Sequence, residues 1–207
     1  MKKVCVVNYG INNISSICKA LKHINQDYLV LSEPNKILNF EKIILPGVGS
    51  FDSGLYSLNK KGFDEYLKIA SMNGQFILGI CLGMQLLFSK SEESIRDIEG
   101  LNILKGNVLK IKIDKKNKIY VPHVGWNSIF KSETNDISLI DENDSKDFYF
   151  VNSYHVVPED KKIIKYYFRH GEKYAAIIRK ENIIATQFHP EKSKNGLTIL
   201  KNFCNLR

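Results

Sequence analysis

The 207-residue sequence predicts an α/β fold, an open and mostly parallel sheet flanked by helices and extended by antiparallel strands. Three observations lead there. Through the first half, short apolar runs alternate with helix-forming stretches, a pattern that lays parallel strands under covering helices. The second half is richer in strand-like runs and closes on a helical stretch. The segments with chemically distinctive residues follow directly on predicted strands, where open α/β sheets gather their reactive groups.

In chain order, Lys2-Lys3 open a first strand whose apolar part, Val4–Val7, has the unbroken pattern of a strand buried on both faces. Asn13 is placed as a helix cap, with Ile14, Ile17, Cys18 and Leu21 at helical spacing behind it. Tyr28–Leu31 and Lys42–Leu45 are the second and third strands, the latter stopped by Pro46-Gly47. A helical stretch from Ser53 to Met72 is expected to break at Lys61-Gly62. Gln75–Ile80 is the fourth strand, and Leu82–Phe88 has helix-forming composition. Pro122–Asn127 reads as a distinctive loop. Further strands are expected over Asn107–Ile113, Phe148–Ser153, Lys165–Arg169, Tyr174–Arg179 and Ile183–Phe188, with a hairpin turn at Arg169–Glu172 and a closing helix from Gly196 to Phe203.

Hydrophobic residues make up 43% and charged residues 25% of the chain, enough apolar material for a full core and a fit to one domain over residues 1–207. No apolar window approaches the length of a membrane span, and the first apolar run is too short for a secretion signal, so the expected location is the cytoplasm. The net charge of +8 comes from lysines spread along the chain rather than clustered among aromatics, which argues against nucleic acid. The four cysteines, at 5, 18, 81 and 204, lack metal-site or CxxC spacing, so no metal or other cofactor is expected. Cys5, Cys18 and Cys204 read as inert thiols on apolar faces.

Cys81 differs. Gly79-Ile80-Cys81-Leu82-Gly83 joins a strand to a helix in a G-x-C-x-G pattern, the cysteine counterpart of the nucleophile elbow. A nucleophile on so sharp a turn takes a strained φ/ψ, and small residues two positions either side avoid a clash. The helix start favours thiolate over thiol, and the Leu82 N–H is placed to meet an oxyanion beside the sulfur.

A thiolate nucleophile needs a proton shuttle. Phe188-His189-Pro190-Glu191 follows the last predicted strand; Pro190 ends it and keeps His189 extended. Residues i and i+2 of an extended segment project to one side, so Glu191 can approach the His189 imidazole and orient it as in other triads. None of the other four histidines has a carboxylate placed this way. Leu45-Pro46-Gly47-Val48-Gly49 can present backbone N–H groups at a strand end, Val48 N–H joining Leu82 N–H as an oxyanion hole. No G-K-[ST] follows, which disfavours a phosphate loop.

Pro46–Gly49, Gly79–Gln85 and Phe188–Glu191 together resemble the class I glutamine amidotransferases, the triad glutaminases, along essentially the whole chain. Within that family, Asn8-Tyr9-Gly10, Pro122–Asn127, Tyr149–Tyr154 and Gln187–Ser193 are similar to the glutaminase subunits of imidazole glycerol phosphate synthase. The resemblance implies that Cys81 attacks the side-chain amide of L-glutamine, that His189 protonates the departing ammonia and then activates water, and that Glu191 orients His189. It implies substrate contacts at Gly49, Gln85, Ser153 and Tyr154. It further implies a heterodimer with a (β/α)8-barrel cyclase that receives ammonia internally, faced by Asn13, Pro122, His123, Trp126, Asn127, Tyr149 and Lys192. Trp126 is equally readable as a core aromatic. Two residues depart from the pattern, Asn152 where His is expected and Asn12 where a small residue is usual; both are expected on surfaces communicating with the partner. They leave open a second acceptor, an amino-sugar precursor served by paralogues in surface-polysaccharide pathways.

Overall fold

The computed structural model describes residues 4–133, 139–140 and 146–206; Lys2 and Lys3 of the predicted first strand lie outside them. The first half of the chain forms β1 (Val4–Val7), α1 (Ile14–His23), β2 (Tyr28–Leu31), β3 (Lys42–Gly47), α2 (Phe51–Lys60), α3 (Phe63–Met72), β4 (Phe76–Cys81) and α4 (Leu82–Leu86). The second half forms β5 (Lys90–Ser91), β6 (Gly106–Lys110), β7 (His123–Lys131), β8 (Asp147–Asn152), β9 (Tyr154–Pro158), β10 (Ile164–His170), β11 (Glu172–Lys180), β12 (Ile183–Thr186) and α5 (Lys194–Cys204).

One sheet has the order β2-β1-β3-β4-β12-β11-β10-β7-β8. The run from β2 to β12 is parallel, and every pairing from β12 outward to β8 is antiparallel. This is the parallel sheet with an antiparallel extension that the sequence predicts. A smaller sheet, β5-β6-β9, stands beside it.

The parallel strands alternate their side chains between two cores. Cys5, Val7, Ile43, Leu45 and Ile77 face α2 and α3, meeting Leu55, Leu58, Phe63 and Leu67. Val4, Val6, Ile44, Leu78 and Ile184 face α1 and α5, meeting Ile17, Leu21, Ile199 and Phe203. Each such fully buried side chain contributes roughly 1.5–3 kcal/mol over its exposed state. Asn13 caps α1 as expected, its Oδ1 accepting from Ser16 N at 3.4 Å. The long helical stretch does break at Lys61-Gly62, where Gly62 takes φ +71°.

The departures are local. Pro122–Asn127 is not a loop: His123–Lys131 is a nine-residue strand paired to β8. Its Val124, Trp126 and Ser128 point outward while His123 and Ile129 point in, a period-2 pattern masked by Gly125 and by Pro122. Helix α4 stops at Leu86, two residues short of the expectation; Leu87 N and Phe88 N close tighter turns onto Met84 O and Gln85 O. What reads as one strand through Ser153 continues as β9, because the chain leaves one sheet for the other at that residue. Among the described residues, no helix is long and apolar enough to cross a membrane.

Candidate active site

Strands β3, β4 and β12 are neighbours, so their carboxyl ends bring three distant segments to one rim. Gly47 pairs with Cys81, and Ile80 with Thr186, three residues before His189. Cys81 sits at φ 54°, ψ −110°, a conformation that costs an L-residue of order 1–3 kcal/mol and that the packing around the elbow must enforce. The flanking glycines show how. A Cβ on Gly79 would lie 2.9 Å from Gly83 O, and one on Gly83 only 1.9 Å from Leu45 O. Because α4 has five residues, little macrodipole stands behind the sulfur, and the local Leu82 N–H is what the elbow offers.

His189 and Glu191 meet as their spacing predicts. His189 Nδ1 lies 2.9 Å from Glu191 Oε1, with the two side chains 5% and 1% exposed. His189 N donates to Tyr149 O at 3.0 Å, fixing the backbone. Nε2 is sealed from solvent and faces Cys81. Burial alone lowers the imidazole pKa, but hydrogen bonding to Cys81 and Glu191, with their negative charge, outweighs it and raises it to about 10. Burial without such partners pushes the thiols of Cys5 and Cys204 up to about 12, the inert state expected of them.

Beside this pair opens a cavity of about 410 Å³, lined by Val48, Gly49, Cys81, Gln85, Ser153 and Tyr154 among others. Gln85 Nε2 donates to Tyr154 O and Gln187 Oε1, both at 3.2 Å. Two lining or adjoining residues escaped the sequence reading. Glu93 holds the start of α2, its Oε2 accepting from Phe51 N at 2.8 Å; burial raises its pKa. Gln187 Nε2 lies 3.8 Å from Cys81 Sγ. The Val48 N–H donates to Ile11 O at 3.4 Å and so is not directed at the cavity. A larger cavity, about 760 Å³, lies at the opposite strand ends around Lys42, Gln75 and Cys204. Among the described residues, no group of three or more His, Cys, Asp or Glu is set to hold a metal ion.

The family model described as glutamine amidotransferase class-I matches residues 5–206. The chain belongs to this family. As an amidotransferase it is 46% identical over 200 residues to a protein of Caldanaerobacter subterraneus subsp. tengcongensis named imidazole glycerol phosphate synthase subunit HisH, covering 96% of this chain and 95% of that one. It is 40% identical to imidazole glycerol phosphate synthase subunit HisH 1 of Methanococcus maripaludis, covering 98% and 99%. A crystal structure of a glutamine amidotransferase superposes with a TM-score of 0.75 at 14% identity, covering 97% of this chain and 96% of that chain; that likeness speaks for the fold.

The amidotransferase's expected partner-facing residues divide in two. Trp126 is 60% exposed, not a core aromatic, and meets Tyr149 edge-on at 5.9 Å, with Lys192 Nζ 4.5 Å from the Tyr149 ring. Val124 and Val151, paired across the same ladder, are exposed on that face; Pro122 just before β7 and Asn13 at the start of α1 are also exposed. His123 and Asn127 instead point inward, because they occupy the opposite phase of β7. Asn152, expected on a communicating surface, is likewise buried and lines the cavity. Asn12 turns its Nδ2 back onto Val7 O at 3.2 Å.

Proposed function

We propose that this chain is the glutaminase subunit of an imidazole glycerol phosphate synthase, releasing ammonia from L-glutamine for histidine biosynthesis. The observation that carries the reading is the junction of Cys81, His189 and Glu191 beside the cavity that Gln85, Ser153 and Tyr154 line, in a chain so similar to HisH subunits along its length. Of the two acceptors left open by the sequence, the names of these relatives favour the imidazole-forming one.

In this reading the Cys81 thiolate attacks the glutamine side-chain carbonyl, forming a C–S bond and an oxyanion that Leu82 N–H meets. Collapse of that intermediate breaks the C–N bond, and protonated His189 gives its proton to the departing nitrogen, leaving a thioester. His189 then takes a proton from water, whose hydroxide completes hydrolysis to glutamate and returns the sulfur. Glu191 holds Nδ1, so that Nε2 faces the sulfur throughout. For Val48 N–H to join the hole it must give up Ile11 O, a peptide rotation for which Gly49, already at φ +92°, leaves room.

Gly49, Gln85, Ser153 and Tyr154 are assigned to glutamine contacts, and we add Glu93, whose second carboxylate oxygen is free to meet the substrate's α-ammonium group. Glu93→Gln is expected to raise KM for glutamine by roughly one to two orders of magnitude, the worth of a charge-assisted hydrogen bond, with kcat changed little; steady-state kinetics read both.

The exposed Val124–Trp126–Tyr149–Val151 face is assigned to a (β/α)8-barrel cyclase, since ammonia protonated in bulk water is no nucleophile. Glutamate release is expected to be slow for the chain alone and to rise roughly tenfold or more when a cyclase holding its nucleotide acceptor is added. Absence of stimulation by any such cyclase would sink the partner assignment. Trp126→Ala is expected to weaken binding to that cyclase about thirtyfold in a calorimetric titration.

A further inference from the structure

His123 lies on the inner side of β7, stacked on Phe168 (centroids 5.3 Å apart, planes 9° apart) and tilted against Phe150 and His170. Asn127 Nδ2 is 3.2 Å from His123 Nε2 and also donates to Arg169 O at 2.9 Å. An amide nitrogen only donates, so Nε2 supplies the lone pair and the neutral ring carries its proton on Nδ1. Burial and the neighbouring His170 hold the ring's pKa at about 4, which keeps it neutral.

Across the ladder from His123 stands Asn152. His123 Nδ1 and Asn152 Oδ1 are both sealed from solvent and neither has a hydrogen-bond partner among the described residues, while the Asn152 side chain is near enough to act on the ring's titration. A buried donor and a buried acceptor left unpaired on directly opposed residues are complementary, and a small side-chain adjustment would pair them. Asn152 Nδ2 then donates to Tyr154 O at 3.0 Å, and that same carbonyl accepts from Gln85. It stands one residue beyond Ser153, where the chain crosses between sheets, and two side-chain donors hold it.

We propose that His123 and Asn152 are positioning residues for glutamine. Their hydrogen-bonded chain fixes the Tyr154 carbonyl, and through it the Ser153-Tyr154 strand end and the Gln85 amide, in the geometry that receives the substrate. This inference rests on the glutaminase reading of the cavity. It gives the departure at Asn152 a role: an amide there accepts from one side and donates to the other.

The test is steady-state glutamine hydrolysis by the full chain, alone and with its cyclase. His123→Phe keeps the ring stack and removes both nitrogens. Asn152→Asp keeps the acceptor for His123 and removes the donor to Tyr154. Each is expected to raise KM about tenfold with kcat nearly unchanged. The double variant is expected to be no worse than either single one, because one chain is interrupted twice. Asn152→His, which can both accept and donate, is expected to hold KM near the wild-type value. An unchanged KM in His123→Phe, additive losses in the double variant, or activity lost only in proportion to folded protein by circular dichroism would each overturn the inference while wild-type turnover stands. A wild-type chain that releases no glutamate under either condition overturns the glutaminase reading, and this inference falls with it.

Discussion

Replacing Cys81 with alanine is expected to lower kcat for glutamine hydrolysis by about four orders of magnitude or more while leaving the fold intact. The thiol is small, Ala tolerates the φ of 54° no worse than Cys, and the glycines that make the elbow are untouched. A second readout separates loss of the nucleophile from disruption of the site. His189 owes its pKa of about 10 to Cys81 and Glu191 acting against burial. With Cys81 gone, one of the two upward contributions disappears and burial regains weight, so the imidazole titrates at lower pH than in the wild type. NMR of the His189 ring protons measures this. Wild-type turnover by Cys81→Ala, or an unmoved titration, would refute the pairing of sulfur and imidazole.

Gly83→Ala is the second large effect. In an ordinary helix Ala is favoured over Gly by about 1 kcal/mol. Here the added methyl would lie 1.9 Å from Leu45 O, a backbone atom of the adjacent parallel strand that cannot step aside like a side-chain tip. The strand end or the elbow must move, at a cost of ~3 kcal/mol or more. That corresponds to a thermal midpoint lower by about 6–12 °C for a chain of this size, with activity lost along with Cys81 geometry. Gly74→Ala is the control. Its Cβ would meet nothing within 4 Å, so it bears only the left-handed penalty of about 1–2 kcal/mol at φ +77°. Equal midpoints for the two variants would exclude the clash as the cause.

The parallel half of the fold was legible in the sequence because Val4–Val7, Lys42–Leu45 and Gln75–Ile80 carry apolar runs on both faces, and Pro46-Gly47 stops the second of them. That composition has few alternatives to a buried strand. The Cys81 elbow and the His189–Glu191 pair were legible for a related reason, since local backbone geometry sets both. The strand β7 was not, because two of its inward residues, His123 and Asn127, are polar and only Ile129 is an aliphatic signal. Only pairing with β8 and the stack on Phe168 make them interior. The strand β9 was missed: the expected strand stops at Ser153, and nothing local says that Tyr154–Pro158 starts another one in a different sheet. Glu93 sits in the polar run Ser91–Ser94 and reads as solvated surface. Its burial depends on α2 arriving over it from 42 positions earlier.

Strand β12 enters the large sheet between β4 and β11 rather than at a margin. During synthesis, therefore, the edge of β4 that faces β12 stays unpaired until Ile183–Thr186 have left the ribosome. A product truncated before Ile183 would carry an idle thiol and an open parallel edge, a template for association with other chains. His189 arrives on the segment that closes this gap, so in the proposed mechanism a chain gains hydrolytic competence only once its sheet is sealed.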